Sequence, residues 1–239
     1  MLLGGLPPVC LQDAAAADLW LRDYVQTYLE RDARQLAQVS DLIAFRTLTE
    51  LAALRTAQVL NISSLGRDAK LSAATTGRYL HWLEASFLVR RIPPFLKNRS
   101  SRLIKAPKLY FTDSGLAAHL AGVQALERLA GDPLHGALLE TYVVQNLFAI
   151  VETHLPGASL SYWHEQGRHE VDLVLETGRT VVAIEIKSSS RWSDGYLAGL
   201  KAFLARTPQC LAAILAYNGT RAVPLGEKLW AIPLGHFLA

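Results

Sequence analysis

Apolar positions recur at helical spacing through the first half of the chain, whereas the second half mixes helical spacing with strand-like alternation. Residues 18–39 carry apolar side chains on one face and charged side chains on the other, which predicts a long amphipathic helix. The preceding Gly4-Gly5-Leu6-Pro7-Pro8 predicts a turn with no obvious core to join. We therefore expect residues 1–40 to be a linker and a helix that docks on a neighbouring domain or subunit, so a homo-oligomer is one expectation.

The next stretch predicts three helices followed by a hairpin. Ser63 or Ser64 is expected to cap the second helix, Ser72 the third, and a tight turn near Lys70 joins the two. The predicted elements are helices at 41–55, about 63–69 and 72–84, and strands at 88–92 and 108–112, after which Asp113 caps a further helix. This is the element order of a winged helix-turn-helix, which we predict for residues 41–125.

A basic segment lies between the two strands of this hairpin. From Arg90 to Lys108 the chain has seven Lys or Arg residues and no acidic residue, so the loop from Pro93 to Pro107 would form the wing. The alternatives are a solvated loop that happens to be basic, or a winged helix that binds proteins. The candidate DNA-binding residues are Arg78 on the third helix and Lys97, Arg99, Arg102 and Lys105 in the wing.

After the turn signal Gly131-Asp132-Pro133, a second domain is predicted over residues 130–239. Its predicted elements are a helix at 136–153, strands at 159–165, 170–176 and 181–187, a helix at 194–206, a strand at 210–217 and a short strand near 229–232. The order α-β-β-β-α-β predicts a mixed sheet with helices, so the chain as a whole is α/β.

Three charged residues on this sheet are candidates for chemistry. Glu185 and Lys187 are two apart on one strand and share a face, and a two-residue turn at Gly178-Arg179 would place Asp172 directly opposite Glu185. A turn one residue earlier would put the two acids on different faces. In the direct register the two carboxylates repel unless a cation lies between them, and Mg²⁺ suits this role because it takes oxygen ligands.

In that arrangement Asp172 and Glu185 would bind the metal, Lys187 would position water or a phosphate, and Glu140 on the preceding helix would assist as a further ligand. The competing interpretation is a salt bridge between Lys187 and either acid on a solvated face. Spacing alone does not separate the two interpretations.

A resemblance to known proteins adds to this pattern. The stretches His169-Glu170-Val171-Asp172-Leu173-Val174 and Ala183-Ile184-Glu185-Ile186-Lys187-Ser188 resemble the Asp … Glu-x-Lys motif of the PD-(D/E)XK nuclease superfamily. The stretches around residues 28–32, 77–80, 105–116 and 136–140 resemble the C-terminal half of a prokaryotic family of AAA-type ATPases. In that family a P-loop domain is followed by a winged helix and a restriction-endonuclease-like domain.

The resemblance implies a PD-(D/E)XK fold over residues 130–239 and an ATPase domain or subunit as a partner in cis or in trans. The chain has no GxxxxGK[ST] sequence and no Gly-Lys dipeptide, so no ATPase activity is expected from it. The two functional hypotheses are a DNA-associated, Mg²⁺-dependent nuclease-like module and a non-enzymatic DNA-binding or protein-interaction module that keeps the nuclease fold without cleaving.

Charge, cysteine and histidine content and the apolar runs limit the possible binding sites and the cellular location of the protein. The net charge is only +3, so the basic segment matters more than the total. The two cysteines are far apart and lack CxxC partners, and the histidines lack HxxxH or HExxH spacing, so neither a zinc site nor a disulfide is predicted. The start of the chain lacks a basic segment followed by a long apolar one, and the apolar runs are too short to span a bilayer, so we expect a cytoplasmic protein that makes no membrane contact.

Overall fold

A computed structural model describes residues 1–31, 41–96, 98–123, 125, 129, 131–165 and 168–239. The fold is mixed α/β and divides into two compact units. Unit 1 consists of Met1–Arg91 and Leu109–Tyr142, and unit 2 consists of Ile92–Lys108 and Val143–Ala239. The structure thus groups residues 92–108 with the second half of the chain, whereas the sequence pattern places them in the first domain.

The first part of the chain contains short helices and a small sheet. In chain order the elements are α1 (Pro7–Cys10), α2 (Ala14–Tyr24), a π-helix (Val25–Glu30), α3 (Leu42–Leu54), β1 (Gln58–Val59), α4 (Ile62–Asp68), α5 (Ala73–Ala85), β2 (Val89–Ile92), α6 (Arg99–Ile104), β3 (Lys108–Phe111), α7 (Ser114–Leu120) and α8 (Pro133–His154). Strands β1, β3 and β2 form a three-stranded sheet in that order. Three helices followed by two paired strands is the predicted order.

The helix caps explain where α4, α5 and α7 begin. The side chains of Ser72 and Asp113 accept hydrogen bonds from the first turns of α5 and α7, which confirms both predicted caps. Helix α4 is capped by Asn61, so the prediction of Ser63 or Ser64 was wrong. Because the Asn61 cap lies two residues before Ser63, α4 starts at Ile62, earlier than expected.

The turn between α4 and α5 is tight, as predicted. Lys70 has a φ of 56°, and the Leu71 N–H donates to the Gly66 carbonyl at 2.8 Å, which closes α4. The two helices are close enough that a Cβ on Gly66 would lie 2.5 Å from the Thr76 hydroxyl oxygen. Glycine is therefore required at position 66.

The start of the chain packs on unit 1, which corrects the expectation of a turn without a core. The Gly5 N–H donates to the Asp113 carboxylate at 2.6 Å, and Val9 is completely buried. A Cβ on Gly115 would lie 2.6 Å from the Leu3 backbone, so the two segments touch through their main chains.

The predicted amphipathic helix is present in its first part as α2 and the π-helix. Ala17, Leu21 and Val25 are buried in the core of unit 1. The part of the apolar face that includes these three residues therefore packs within unit 1. The predicted remainder of the helix, residues 32–39, lies outside the described residues.

Unit 2 is built on a six-stranded sheet. Its remaining elements are β4 (Ser159–Glu165), β5 (His169–Thr177), β6 (Thr180–Lys187), a 3-10 helix (Asp194–Leu197), α9 (Ala198–Arg206), β7 (Cys210–Tyr217), β8 (Val223–Gly226), β9 (Leu229–Pro233) and α10 (Leu234–Phe237). The strand order is β4-β5-β6-β7-β9-β8. Pairs β4/β5, β5/β6 and β8/β9 are antiparallel, and β6/β7 and β7/β9 are parallel.

The predicted order α-β-β-β-α-β is found in α8, β4, β5, β6, α9 and β7. The sequence pattern missed β8, in which two of the four residues, Pro224 and Gly226, are of types that are uncommon in strands. It lies at the edge of the sheet, where a proline is tolerated because no partner needs its missing N–H.

Residues 92–108, called the strap below, pack on the edge of the unit 2 sheet at β4. The β4/β5 register shifts between Ser161 and Trp163, so the backbone of Tyr162 is available to other partners. Tyr162 accepts a hydrogen bond from the Phe95 N–H and donates its own N–H to the Pro93 carbonyl. The Tyr162 hydroxyl also donates to the Ala106 carbonyl at 2.6 Å. The strap is thus held along its length by one residue of β4.

The expectation that residues 93–107 form a loop was wrong for α6. The Asn98 side chain accepts a hydrogen bond from the Ser100 N–H and starts this helix. Arg102 on α6 forms an ion pair with Glu176 of β5, and its guanidinium lies 5.0 Å from the centre of the Phe95 ring. The helix forms because its middle residue has partners in unit 2.

Helix α8 is long and apolar enough, by length and composition alone, to cross a membrane. The prediction that the apolar stretches are too short to span a bilayer applies to uninterrupted apolar runs. Helix α8 instead mixes apolar residues with polar ones such as Gln145 and Asn146. Core helices of proteins that do not enter membranes have the same character. Leu138, Val143 and Val144 of α8 are almost completely buried within the protein.

Gly199 sets the distance between α9 and the strand that carries Asp172. A Cβ at this position would lie 1.9 Å from the Glu170 carbonyl oxygen, a backbone atom of β5. We expect Gly199→Ala to lower the free energy of unfolding by about 1–3 kcal/mol, because helix and strand must separate. Urea unfolding measures this change. As a control, Gly77→Ala lies in α5 with no atom within 4 Å of the new Cβ, so it is expected to raise stability by about 0.5–1 kcal/mol. Equal effects of the two substitutions would contradict the packing argument.

Candidate functional site

The hairpin of β5 and β6 brings two acidic residues face to face. Thr177 pairs with Thr180 across the turn, and the register continues to Leu173 opposite Ile184. Continuing this register by one residue places Asp172 opposite Glu185, which is the first of the two registers that the sequence allowed. Gly178 in the turn has a φ of 60°, a conformation that glycine adopts without strain.

Asp172 is held in a defined orientation. Asp172 is only 5% exposed, and its Oδ2 atom accepts a hydrogen bond from the Ile186 N–H at 2.8 Å. Its Oδ1 atom lies 3.8 Å from the Nζ atom of Lys108. That distance is too long for a hydrogen bond, so the attraction is between charges.

Glu185 has an unusual environment for a carboxylate. Its Oε1 atom forms an ion pair of 2.7 Å with the Nζ atom of Lys187. Its Oε2 atom is buried and has no hydrogen-bond partner among the residues that the structure describes. Burial first, and then the charge of Asp172, raise the pKa of Glu185 from 4.5 to about 8, although Lys187 opposes the shift.

Lys187 lies at the accessible side of this group. Its side chain is 31% exposed, compared with 7% for the side chain of Glu185. Its Nζ atom also lies 5.8 Å from the centre of the Tyr196 ring. The salt bridge that the sequence allowed as a competing interpretation is therefore present, but its acid is buried and does not lie on a solvated face.

The donor set fits a hard cation. Asp172 and Glu185 supply carboxylate oxygens on one face of the sheet, and the buried Oε2 atom of Glu185 has no other partner among the described residues. No group of three or more His, Cys, Asp or Glu side chains with metal-binding geometry is found among the residues that could be searched. A cation at this pair would therefore complete its coordination with water or phosphate oxygens, as Mg²⁺ commonly does.

Lys108 belongs to this group as well, although the sequence pattern did not predict it as a site residue. Its side chain is only 9% exposed, and its Nζ atom lies 5.8 Å from the centre of the Tyr162 ring as well as near Asp172. A signal was available, since Lys108 begins a strand whose next three residues are Leu109, Tyr110 and Phe111. A lysine in a buried strand requires a partner of opposite charge.

Glu140 lies on the part of α8 that belongs to unit 1. Its carboxylate accepts a hydrogen bond from the Tyr110 hydroxyl, within the same unit. Asp172, Glu185 and Lys187 all belong to unit 2. The role of Glu140 as a metal ligand stays a prediction.

The predicted DNA-binding residues have different surroundings. Arg78 is exposed on α5, with its guanidinium 5.5 Å from the centre of the Tyr79 ring, and Lys105 is exposed at the end of α6. Arg102 is committed to Glu176, so it is not an exposed wing residue as predicted. Lys97 and the side chain of Arg99 lie outside the described residues.

Two family descriptions match the chain. Residues 1–127, more than half of the chain, match a family described as "Domain of unknown function (DUF8612)", and the chain belongs to that family. Residues 135–237 match a second family described as "Domain of unknown function (DUF4143)". The second match contains the whole β5–β6 hairpin.

Two curated relatives extend over the whole chain. They are "Uncharacterized protein Rv2008c" of Mycobacterium tuberculosis (strain ATCC 25618 / H37Rv) and "Uncharacterized protein Mb2031c" of Mycobacterium bovis (strain ATCC BAA-935 / AF2122/97). Each is 30% identical over 241 residues that cover 99% of this chain. The chain spans 52% of the length of each relative, so it matches about half of these proteins.

Among solved structures, a similarity is found to a transcriptional regulator of the MarR family from Silicibacter pomeroyi. The identity is 17%, and the match covers 61% of this chain and 95% of that chain. The TM-score of 0.24 is too low to define a shared fold.

The raised pKa of Glu185 predicts a particular pH dependence of stability. Because the folded protein favours the protonated form, the cost of ionising Glu185 is absent below its unfolded pKa of 4.5 and grows as the pH rises towards about 8. We expect Glu185→Gln to remove this loss, with each pKa unit corresponding to about 1.4 kcal/mol. Urea unfolding in metal-free buffer at pH 5 and pH 9 tests this. Glu227→Gln, at an exposed glutamate, is the control, and a pH dependence unchanged by Glu185→Gln would refute the assignment.

Proposed function

We propose that unit 2 is a PD-(D/E)XK nuclease-like module that acts on phosphodiesters with the help of Mg²⁺. The observation that supports this most strongly is the hairpin register, which places Asp172 opposite Glu185 with Lys187 on the same face. The order and pairing of β4 to β7 agree with the fold that the sequence resemblance implies. The chemistry follows from these three side chains.

Asp172 and Glu185 would hold the cation through their carboxylate oxygens. When bound, Mg²⁺ would neutralise charge on the phosphate and make an associated water a better nucleophile. Asp172 is oriented for this by the Ile186 N–H, so one of its oxygens is fixed and the other faces Lys108. Lys187, which is partly exposed beside Glu185, would position the water or the phosphate.

We further propose that the helices and the hairpin of unit 1 form a winged helix that contacts DNA through α5. Arg78 supports this because it is exposed on the third helix of the motif, where a phosphate contact is expected. Such a contact holds the DNA without reading its sequence. The proposal also includes an ATPase domain or subunit, in cis or in trans, which the sequence resemblance implies. It further includes a cytoplasmic location, which the sequence pattern predicts.

A second candidate function is a non-cleaving interaction module of a larger protein. The contacts of the basic segment favour this interaction module, because Arg102 is paired with Glu176 and the strap is bound to β4. The strap also exposes Leu103 and Ile104, with relative exposures of 87% and 82%. Such apolar residues beside a basic helix are more typical of a protein contact than of a DNA wing.

Cleavage assays distinguish the two candidates. We expect the full chain to cleave plasmid DNA in the presence of Mg²⁺ or Mn²⁺, and Asp172→Asn and Lys187→Met each to reduce the rate by about a hundredfold or more. Both substitutions keep the approximate shape of the side chain, so loss of folding is a smaller concern than with alanine. Asp194→Asn is the matched control because that carboxylate is 87% exposed and is paired with Lys201, which lies outside the hairpin. Cleavage that survives both substitutions, or that is absent throughout, refutes the nuclease proposal.

DNA binding has its own test. We expect Arg78→Ala to weaken binding to duplex DNA and to reduce the slope of log K against log [salt] by about one, since one phosphate contact is lost. Fluorescence anisotropy at several salt concentrations measures both quantities. Arg22→Ala removes a similarly charged, exposed side chain from α2 and is expected to change neither. Equal effects of the two substitutions would remove α5 as the DNA-binding element.

A further inference from the structure

The site contains two lysines as well as two acids, and this balance is informative about its ligand. Asp172 and Glu185, when ionised, are neutralised by Lys108 and Lys187. Adding a divalent cation would leave these four side chains with two positive charges in excess, one of which the nearby Glu170 carboxylate offsets. An anion bound beside the cation would balance the remaining positive charge, which is costly in a buried environment.

Lys108 is placed by a dedicated arrangement of main-chain contacts. Tyr162 holds the strap through its backbone at Pro93 and Phe95 and through its hydroxyl at Ala106, two residues before Lys108. The Tyr162 ring then lies beside the Lys108 ammonium at 5.8 Å. Lys108 is thus not an incidental surface lysine.

A purely structural role explains Lys108 less well. A buried ion pair adds little stability compared with apolar side chains of the same size, because both charges lose their hydration. The lysine is also 3.8 Å from Asp172, beyond hydrogen-bond distance, while the Oδ2 atom of Asp172 is already bonded to the Ile186 N–H. The interaction between Lys108 and Asp172 is therefore an attraction between charges.

We propose that Lys108 is a further binding residue of this site, and that together with Lys187 it receives a phosphoryl group next to the carboxylate pair. The inference rests on the proposed function, because it assigns the phosphate that would share the cation with Asp172 and Glu185. In this proposal the strap packs on β4 and also supplies Lys108 to the site. The other residues of the site lie on β5 and β6.

Binding of inorganic phosphate to the full chain in the presence of Mg²⁺ tests the inference, with ³¹P NMR as the readout. We expect Lys108→Met to weaken phosphate binding about tenfold, the scale of one charge contact at a partly hydrated site, and Lys108→Arg to restore it to within a few-fold of the wild-type affinity. Lys201→Met is the control because it removes a lysine that is 54% exposed and paired with Asp194. Phosphate affinity that is unchanged by Lys108→Met, with only the unfolding midpoint altered, would make Lys108 a structural residue and overturn the inference.

A second measurement keeps the test decisive if Lys108→Met does not fold. In wild-type protein labelled with ¹⁵N at the lysine Nζ atoms, phosphate is expected to shift the signals of both Lys108 and Lys187, with Lys108→Arg identifying the first. A shift of Lys187 alone would overturn the inference and leave the proposed function standing. Lys108-dependent phosphate binding without any DNA cleavage would support the inference and refute the proposed nuclease activity. Absence of both Mg²⁺ and phosphate binding in the wild type would defeat both.

Discussion

Two carboxylates facing each other across a buried hairpin impose the strongest constraint on unit 2. Asp172 and Glu185 are each only 5% exposed, so their mutual repulsion is poorly screened by water. The protein offsets it with the Ile186 N–H and Lys108 on one side and with Lys187 on the other. The compensation is incomplete, because one oxygen of Glu185 has no hydrogen-bond partner among the described residues and the pKa of this residue is raised to about 8. An arrangement of this kind is suited to a cation that it would bind in exchange for a proton.

The strap connects this electrostatic problem to the rest of the fold. The β-bulge at Tyr162 leaves backbone groups that pair with Pro93 and Phe95, and the strap then runs to Lys108 beside Asp172. The basic character of residues 90–108 therefore serves at least two purposes. Arg102 fixes α6 to Glu176 and Lys108 faces the acid pair, while Lys105 stays exposed. A segment that looks like a uniform DNA-binding loop in the sequence is thus divided among different structural tasks.

The family matches divide the chain into two parts. The two matched families cover residues 1–127 and 135–237, so the break between them ends within the first turn of α8. The curated relatives are about twice as long as the part that this chain matches. Under the proposal made above, a winged helix and a nuclease-like module would act together with an ATPase domain or subunit. The acid pair and its lysines supply the chemistry by which that proposal can be judged.

The sequence by itself determined most of the secondary structure, because apolar periodicity and capping residues such as Ser72 and Asp113 act locally. It also identified Asp172, Glu185 and Lys187, since residues two apart on a strand share a face, but it left the hairpin register open. Only the tertiary structure decided that register, the burial of both acids and the position of Lys108. The reason is that Lys108 is 64 residues from Asp172 in the chain. Its role depends on contacts of the strap with a bulge in β4, and neither of these is encoded in a local pattern.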